Sequence, residues 1–293
     1  MRFVTGGLRT KSWVVLTVVA TLITVLTPVT AVVTFLATHK ADVPATILAL
    51  YVCALVILLL ALLIQQEARY RREIPYAHAM IAARKAFTSL ADASWTILEG
   101  DGSEDAFLLH LRNALIFLAE GFMIITGNPC RVAIKMTSAE AIGDSPNQND
   151  SPNQNLDVEV VTICRSSQEA ELPHLERDRI GNNTDFKQIF VENSEYFFCN
   201  DLSAQLKNGY QNSHWDEKTI QSGAFTYRAT IVWPIARSWK PHNQKPQPRE
   251  VIGFLCLDTP ATNVFNEIYD VALGAAFAEA LHLTLRRFRD RKS

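Results

Sequence analysis

Two stretches decide the fold: residues 225–235, FTYRATIVWPI, and residues 250–258, EVIGFLCLD. In the first, Phe225, Tyr227, Ala229, Ile231, Trp233 and Ile235 alternate with Thr226, Arg228, Thr230, Val232 and Pro234. That period of two predicts a strand with one wholly apolar face. The second stretch is apolar on both faces, as in a central strand covered on both sides. The segment between them, 238–249, is rich in Pro, Lys, Asn and Gln and reads as a returning turn. Pro234 has no N–H to give to a ladder, so pairing stops near it. Gly253, lacking a side chain, lets a neighbouring backbone come close.

Working outward, a helix is expected from Val264 to Arg289, capped by Thr262 or Asn263. Upstream of residue 225, Tyr196–Cys199 reads as a short strand ending at Asn200 and Asp201, and Asp185–Val191 as a short helix in an otherwise polar stretch. Two further strands are expected, Arg131–Met136 and Leu156–Arg165. In the first of these, Val132, Ile134 and Met136 point one way and Arg131, Ala133 and Lys135 the other. Asp101 or Ser103 can cap a helix running to about Thr126. Its apolar face carries Phe107, Leu108, Leu111, Leu115, Leu118 and Phe122. The hexapeptide Asp-Ser-Pro-Asn-Gln-Asn at 144–149 recurs at 150–155. So polar and Pro-containing an insert belongs in an exposed loop. The order of elements predicts an antiparallel α+β domain over residues 100–293.

The N-terminal part is of a different kind. Trp13–Ala37 and Val43–Ile64 contain no charged residue. Each exceeds the roughly 20 residues that a helix needs to cross a bilayer. Only Thr38–Asp42 separates them, so residues 1–66 are expected to form a two-helix transmembrane hairpin. Threonines recur along one side of the first span, at 17, 21, 24, 27, 30 and 34, where their hydroxyls can bond back to carbonyls or face a neighbour. Arg2, Arg9 and Lys11 precede the spans, and Arg69, Arg71 and Arg72 follow them. The joining turn has only Lys40. By the positive-inside rule both termini are cytoplasmic, at the plasma membrane. Residues 67–99 read as a connecting helix that Pro75 breaks or bends. Beyond Pro75, Ile81, Thr88, Trp95 and Leu98 share a face, with too weak a heptad for a coiled coil.

Composition excludes several functions. With 28 Lys and Arg against 30 Asp and Glu, the net charge of −2 does not suit a nucleic-acid binder. The five cysteines form no CxxC pair and fit a reducing compartment. GxSxG, Walker A and HExxH motifs are absent, and the histidines are scattered, so neither a catalytic residue nor a metal site is assigned. The basic run Arg286–Lys292 can meet anionic membrane lipid or simply complement a helix end.

The segment Tyr227–Ile235, the turn, Val251–Asp258, Phe265 and the Ala-rich terminal helix together resemble the second half of a GAF domain. Phe197–Leu202 resembles that family's short strand ending in Asp-Leu. The resemblance spans about residues 85–289. It implies a sheet with one face on the first and last helices and the other forming a pocket under the irregular middle segment. Arg228 and Thr230 are then candidates to line that pocket, and Asp201 and Trp215 to cover it. Each also has a structural alternative: an ion-pair partner for Arg228, an ordinary strand position for Thr230, a turn cap for Asp201, and core-edge cover for Trp215. The resemblance further implies a homodimer through the terminal helices, where Ala272, Gly274, Ala275, Ala276 and Ala278 permit close approach. No cofactor is indicated. The cysteine spacing differs from that of the family's reductases, and no Cys-His pair suggests bilin attachment. Tyr269-Asp270 stands where cyclic-nucleotide-binding members carry Asp-Glu.

Three functions follow. The chain is a membrane-anchored sensor whose domain binds a small molecule, such as a nucleotide, or a partner. Alternatively it is an effector that perturbs the bilayer on ligand binding or oligomerisation, or a scaffold with no ligand.

Overall fold

The computed structural model describes residues 30, 34, 38, 43–98, 103–138, 156–167, 177–213, 215, 217–223, 225–236 and 250–292. The first expected span (Thr30 and Thr34 apart), the turn joining it to the second (Thr38 apart), the duplicated hexapeptide and the 238–249 turn lie outside these residues. The chain divides into two compact units, 1–73 and 74–293.

In the first unit, Thr34 donates to the carbonyl of Thr30 (2.8 Å) and Thr38 to that of Thr34 (2.9 Å). Such back-bonding satisfies hydroxyls along a helix. Helix α1, Val43–Leu98, contains the whole second expected span. Within that span Tyr51, Ile57, Leu63 and Ile64 are each about three-fifths exposed.

The second unit comprises the rest of α1; α2, Glu104–Thr126; β1, Arg131–Thr137; β2, Glu159–Arg165; β3, Arg177–Arg179; α3, Thr184–Phe190; β4, Phe197–Cys199; α4, Leu202–Leu206; α5, Glu217–Ser222; β5, Ala229–Ala236; β6, Val251–Thr259; and α6, Glu267–Lys292. The strands make one antiparallel sheet in the order β3-β2-β1-β6-β5-β4. One face, with Val132, Ile134, Ile231, Trp233, Leu255 and Leu257, packs on α1, α2 and α6. The other, with Val160, Val232, Phe254 and Cys256, packs under α3 and the segment to Tyr227.

Local chemistry explains the helices. Ser103 caps α2, accepting the amide of Ala106 at 3.1 Å. Gly127 closes it in the left-handed conformation that glycine adopts without strain. Helix α6 is capped by Asn266 rather than by Thr262 or Asn263. Asn266 Oδ1 accepts the amides of Ile268 and Tyr269, and Asp270 Oδ2 accepts that of Asn266 in return. The buried Asp270 also accepts from Tyr76 Oη at 2.9 Å, tying α1 to α6.

The structure bears on three further expectations. Pro75 sits inside α1 without ending it. Packing of the turns that follow offsets the ladder bond that proline removes. The shared face of Ile81, Thr88, Trp95 and Leu98 is exposed, and α1 packs inward through an alanine row, Ala79, Ala82, Ala83, Ala86 and Ala93, with Leu90. A methyl group added at Gly121 of α2 would meet Ala79 and Ala82 at ordinary contact distance. Strand β5 begins at Ala229, not Phe225, so the alternation does not reach Tyr227.

Candidate functional site

Three aligned rows on the sheet face opposite the long helices form the floor of a cavity. Register pairs Arg131 with Asp258 and Asp258 with Thr230. The next row is Ala133, Cys256 and Val232, and the third pairs Lys135 with Phe254. Alternation sends each of these side chains to the same face. Because the middle row is small, the floor is recessed there. The enclosed space is about 50 Å³, room for a handful of waters. Asn183, Asp185 and Phe186, around the start of α3, and Asn212 and Tyr227, from the covering segment, line its other side.

The polar groups around the cavity are largely matched in pairs. Lys135 Nζ donates to Asp178 Oδ2 across the sheet, and both are buried. Burial pushes the Lys135 ammonium down, but its negatively charged surroundings, Asp178 and Asp185 among them, outweigh it and hold the group above its ordinary value. Ser213 Oγ donates to the second oxygen of Asp178, and the Ser213 amide donates to Asn183 Oδ1 at 3.0 Å. Asn183 Nδ2 in turn donates to the carbonyl of Arg179 at 2.9 Å. This network fastens the covering segment to the β1–β3 side of the sheet.

At the other end, Arg131 lies 3.6 Å from Asp258, and Thr230 Oγ1 donates to Asp258 at 2.8 Å. The Arg131 guanidinium also lies 5.8 Å from the centre of the Tyr227 ring. Asn212 Nδ2 donates to the Tyr227 hydroxyl at 2.7 Å. Burial pushes the Tyr210 phenol beside it well above its ordinary value. Arg131 is about one-third exposed, whereas Lys135 and Asp178 are buried, so the cavity has a wet end and a dry end.

Asp185 is the exception. It is only 6% exposed and lines the cavity. Its one hydrogen bond among the described residues comes from the adjacent amide of Phe186 at 2.8 Å. Burial, foremost, pushes its carboxyl up to about 7, with Asp258 and Asp178 adding to the rise and Lys135 opposing it. Among the described residues no group of three or more His, Cys, Asp and Glu side chains is placed to hold a metal ion.

Of the four residues singled out from the sequence, Thr230 lines the cavity and the other three do not. Arg228 is exposed, one step beyond the end of β5. Its backbone pairs with Thr259 and Leu202. Asp201 caps α4, accepting from Ser203 Oγ and the amide of Ala204, and these bonds, Ser203 first, hold its carboxyl below the usual range. Trp215 is buried among Tyr210, Phe225 and Tyr227, behind the cavity wall, and its Nε1 has no acceptor among the described residues. The charged floor residues Arg131 and Lys135 were legible, since alternation places both on the face opposite Val132 and Ile134. Asp185 gave no such signal, because a short helix in a polar stretch does not show which way it faces.

No protein-family model and no curated protein matches the sequence. Among solved structures, the GAF domain of a phosphoenolpyruvate-protein phosphotransferase from Coxiella burnetii is 15% identical at a TM-score of 0.41, covering 72% of this chain and 98% of its own. The phycoerythrobilin-bound GAF domain of a cyanobacterial phytochrome is 13% identical at 0.38, covering 71% and 98%. Free methionine-R-sulfoxide reductase from Neisseria meningitidis, with its substrate, is 16% identical at 0.37, covering 71% and 93%. The second unit of this chain has an antiparallel α+β fold, as the order of elements in the sequence predicts. What those proteins bind says nothing about the cavity here.

Proposed function

We propose that the chain is a membrane-anchored sensory or regulatory protein, not an enzyme, whose GAF-like domain binds a small molecule. The observation that carries this reading is the recessed, charged cavity under the segment from Asn183 to Tyr227, on the sheet face opposite the long helices. A close-packed sheet face would leave no such recess. The anchor is the hairpin of residues 1–66, supported by the outward-facing apolar side chains of Tyr51–Ile64. Both termini are assigned to the cytoplasm on the basic-residue count alone.

We further propose a homodimer. On α1, Ile81, Trp95 and Leu98 are exposed, and on α6 so are Ile268 and Leu283, with Ala272, Ala275 and Ala276 between them. These are the stripes that a second copy would cover.

Native mass spectrometry of the full chain, released from detergent, tests the ligand reading. A low-mass adduct is expected, and it should be lost in Ala133→Leu, which fills the recess. A chain that carries no adduct, and whose melting is unmoved by any compound in a metabolite panel, overturns it.

A further inference from the structure

Deepening the reading of the cavity as a small-molecule site, and resting on it, we propose that the ligand is a small organic cation. Its ammonium or amidinium group forms an ion pair with the Asp185 carboxylate. The argument is a matching of charges around one enclosed space. Lys135 faces Asp178, and Arg131 faces Asp258. Arg165, the third cation on the wall, is also engaged. Cys256, below Asp185, stays a neutral thiol, since burial pushes it well above its ordinary value. Tyr210 and Tyr227 are neutral phenols. With Lys135 set against Asp178 and Arg131 against Asp258, Asp185 is the acid on the wall that closes no ion pair with either, and one of its oxygens accepts no hydrogen bond among the described residues.

A carboxylate buried to this degree and left unmatched is costly, and a cation placed against it recovers much of that cost. An anion would meet the opposite situation. It would have to draw Arg131 from Asp258 or Lys135 from Asp178, leaving a buried acid behind. Size narrows the class further, because the enclosed space admits a group of only a few non-hydrogen atoms.

Protonation supplies an independent signature. Asp185 carries a proton about half the time near pH 7. A cation selects the ionised form, so it binds more tightly as pH rises through that value, by about tenfold between pH 6 and pH 8.

Acetamidinium, acetamide and acetate test this directly, being planar isosteres of charge plus one, zero and minus one. Saturation-transfer NMR on the full chain in detergent micelles measures their affinities. Acetamidinium is expected to bind at least tenfold more tightly than either isostere, with the stated pH dependence. Asp185→Asn, which keeps the acceptor for the Phe186 amide and so keeps the fold, should abolish the preference. Equal affinities for acetamidinium and acetamide, a flat pH profile, or full binding in Asp185→Asn overturns the cation assignment. Binding of acetate that Arg131→Gln removes also overturns it, while leaving the cavity a ligand site. If none of the three binds and native mass spectrometry finds no adduct, both the assignment and the reading beneath it fail.

Discussion

Burying a carboxyl group near two others of like charge has a pH-dependent cost, and Asp185 sets its sign. Its carboxyl lies at about 7 in the folded protein, above the 3.8 that is ordinary for aspartate. Between these values the folded chain holds a proton that the unfolded chain has released. The stabilisation is therefore full below about pH 4 and is lost as pH rises through 7. The wild type is expected to melt at a lower temperature at pH 8 than at pH 5. Asp185→Asn should flatten that difference and stabilise the protein at pH 8 by up to about 4 kcal/mol. Near-UV circular dichroism melts across the range check it; a variant less stable than wild type at pH 8 would refute the sign. At this scale the sequence was readable only where a residue sat in a regular strand. Arg131, Lys135 and Thr230 could be assigned to a face by counting in twos. Tyr227 could not, because the chain leaves strand geometry just before β5 and the count no longer holds.

Elements were the most legible level, because their signals are local and repeated. The strands β1, β2, β5 and β6 lie where alternating or continuous apolar runs put them, and Gly253 shows why one position in them is fixed. A Cβ there would sit 2.4 Å from the carbonyl oxygen of Lys135 on the neighbouring strand. Backbone cannot swing aside as a side chain can. Gly253→Ala is therefore expected to cost about 1–3 kcal/mol, in the range of core overpacking. Chemical denaturation would measure it, and an unchanged midpoint would mean that the β1–β6 spacing is looser than described. On helix α1 the face shared by Ile81, Trp95 and Leu98 was legible, but the inward one was not. Its inward row is alanine, whose weak hydrophobicity was outweighed by the Ile, Trp and Leu that face outward. The cap of α6 was missed similarly, since Asn266 competes with two equally suitable capping residues just upstream.

For the whole molecule, the α+β class followed from the order of elements, whereas the cavity depends on contacts between segments distant in sequence and left only partial traces. The proposed dimer belongs to this scale. Trp95→Glu places a charge in the outward stripe of α1 and should weaken self-association at least tenfold, read as a shift towards monomer mass in light scattering. A wild-type chain already monomeric at micromolar concentration would remove the dimer. The two unlike ends of the cavity also bear on timescale. Opening the end held by Lys135, Asp178 and Ser213 means separating a buried ion pair, a step that costs about 3–5 kcal/mol when one partner is lost. At the other end only a part-exposed arginine and a tyrosine held by Asn212 stand in the way. Exchange through that gate is the faster route. The residence time of a bound molecule would then be set by how quickly Tyr227 swings, and Asn212→Ala would shorten it without touching the floor of the site.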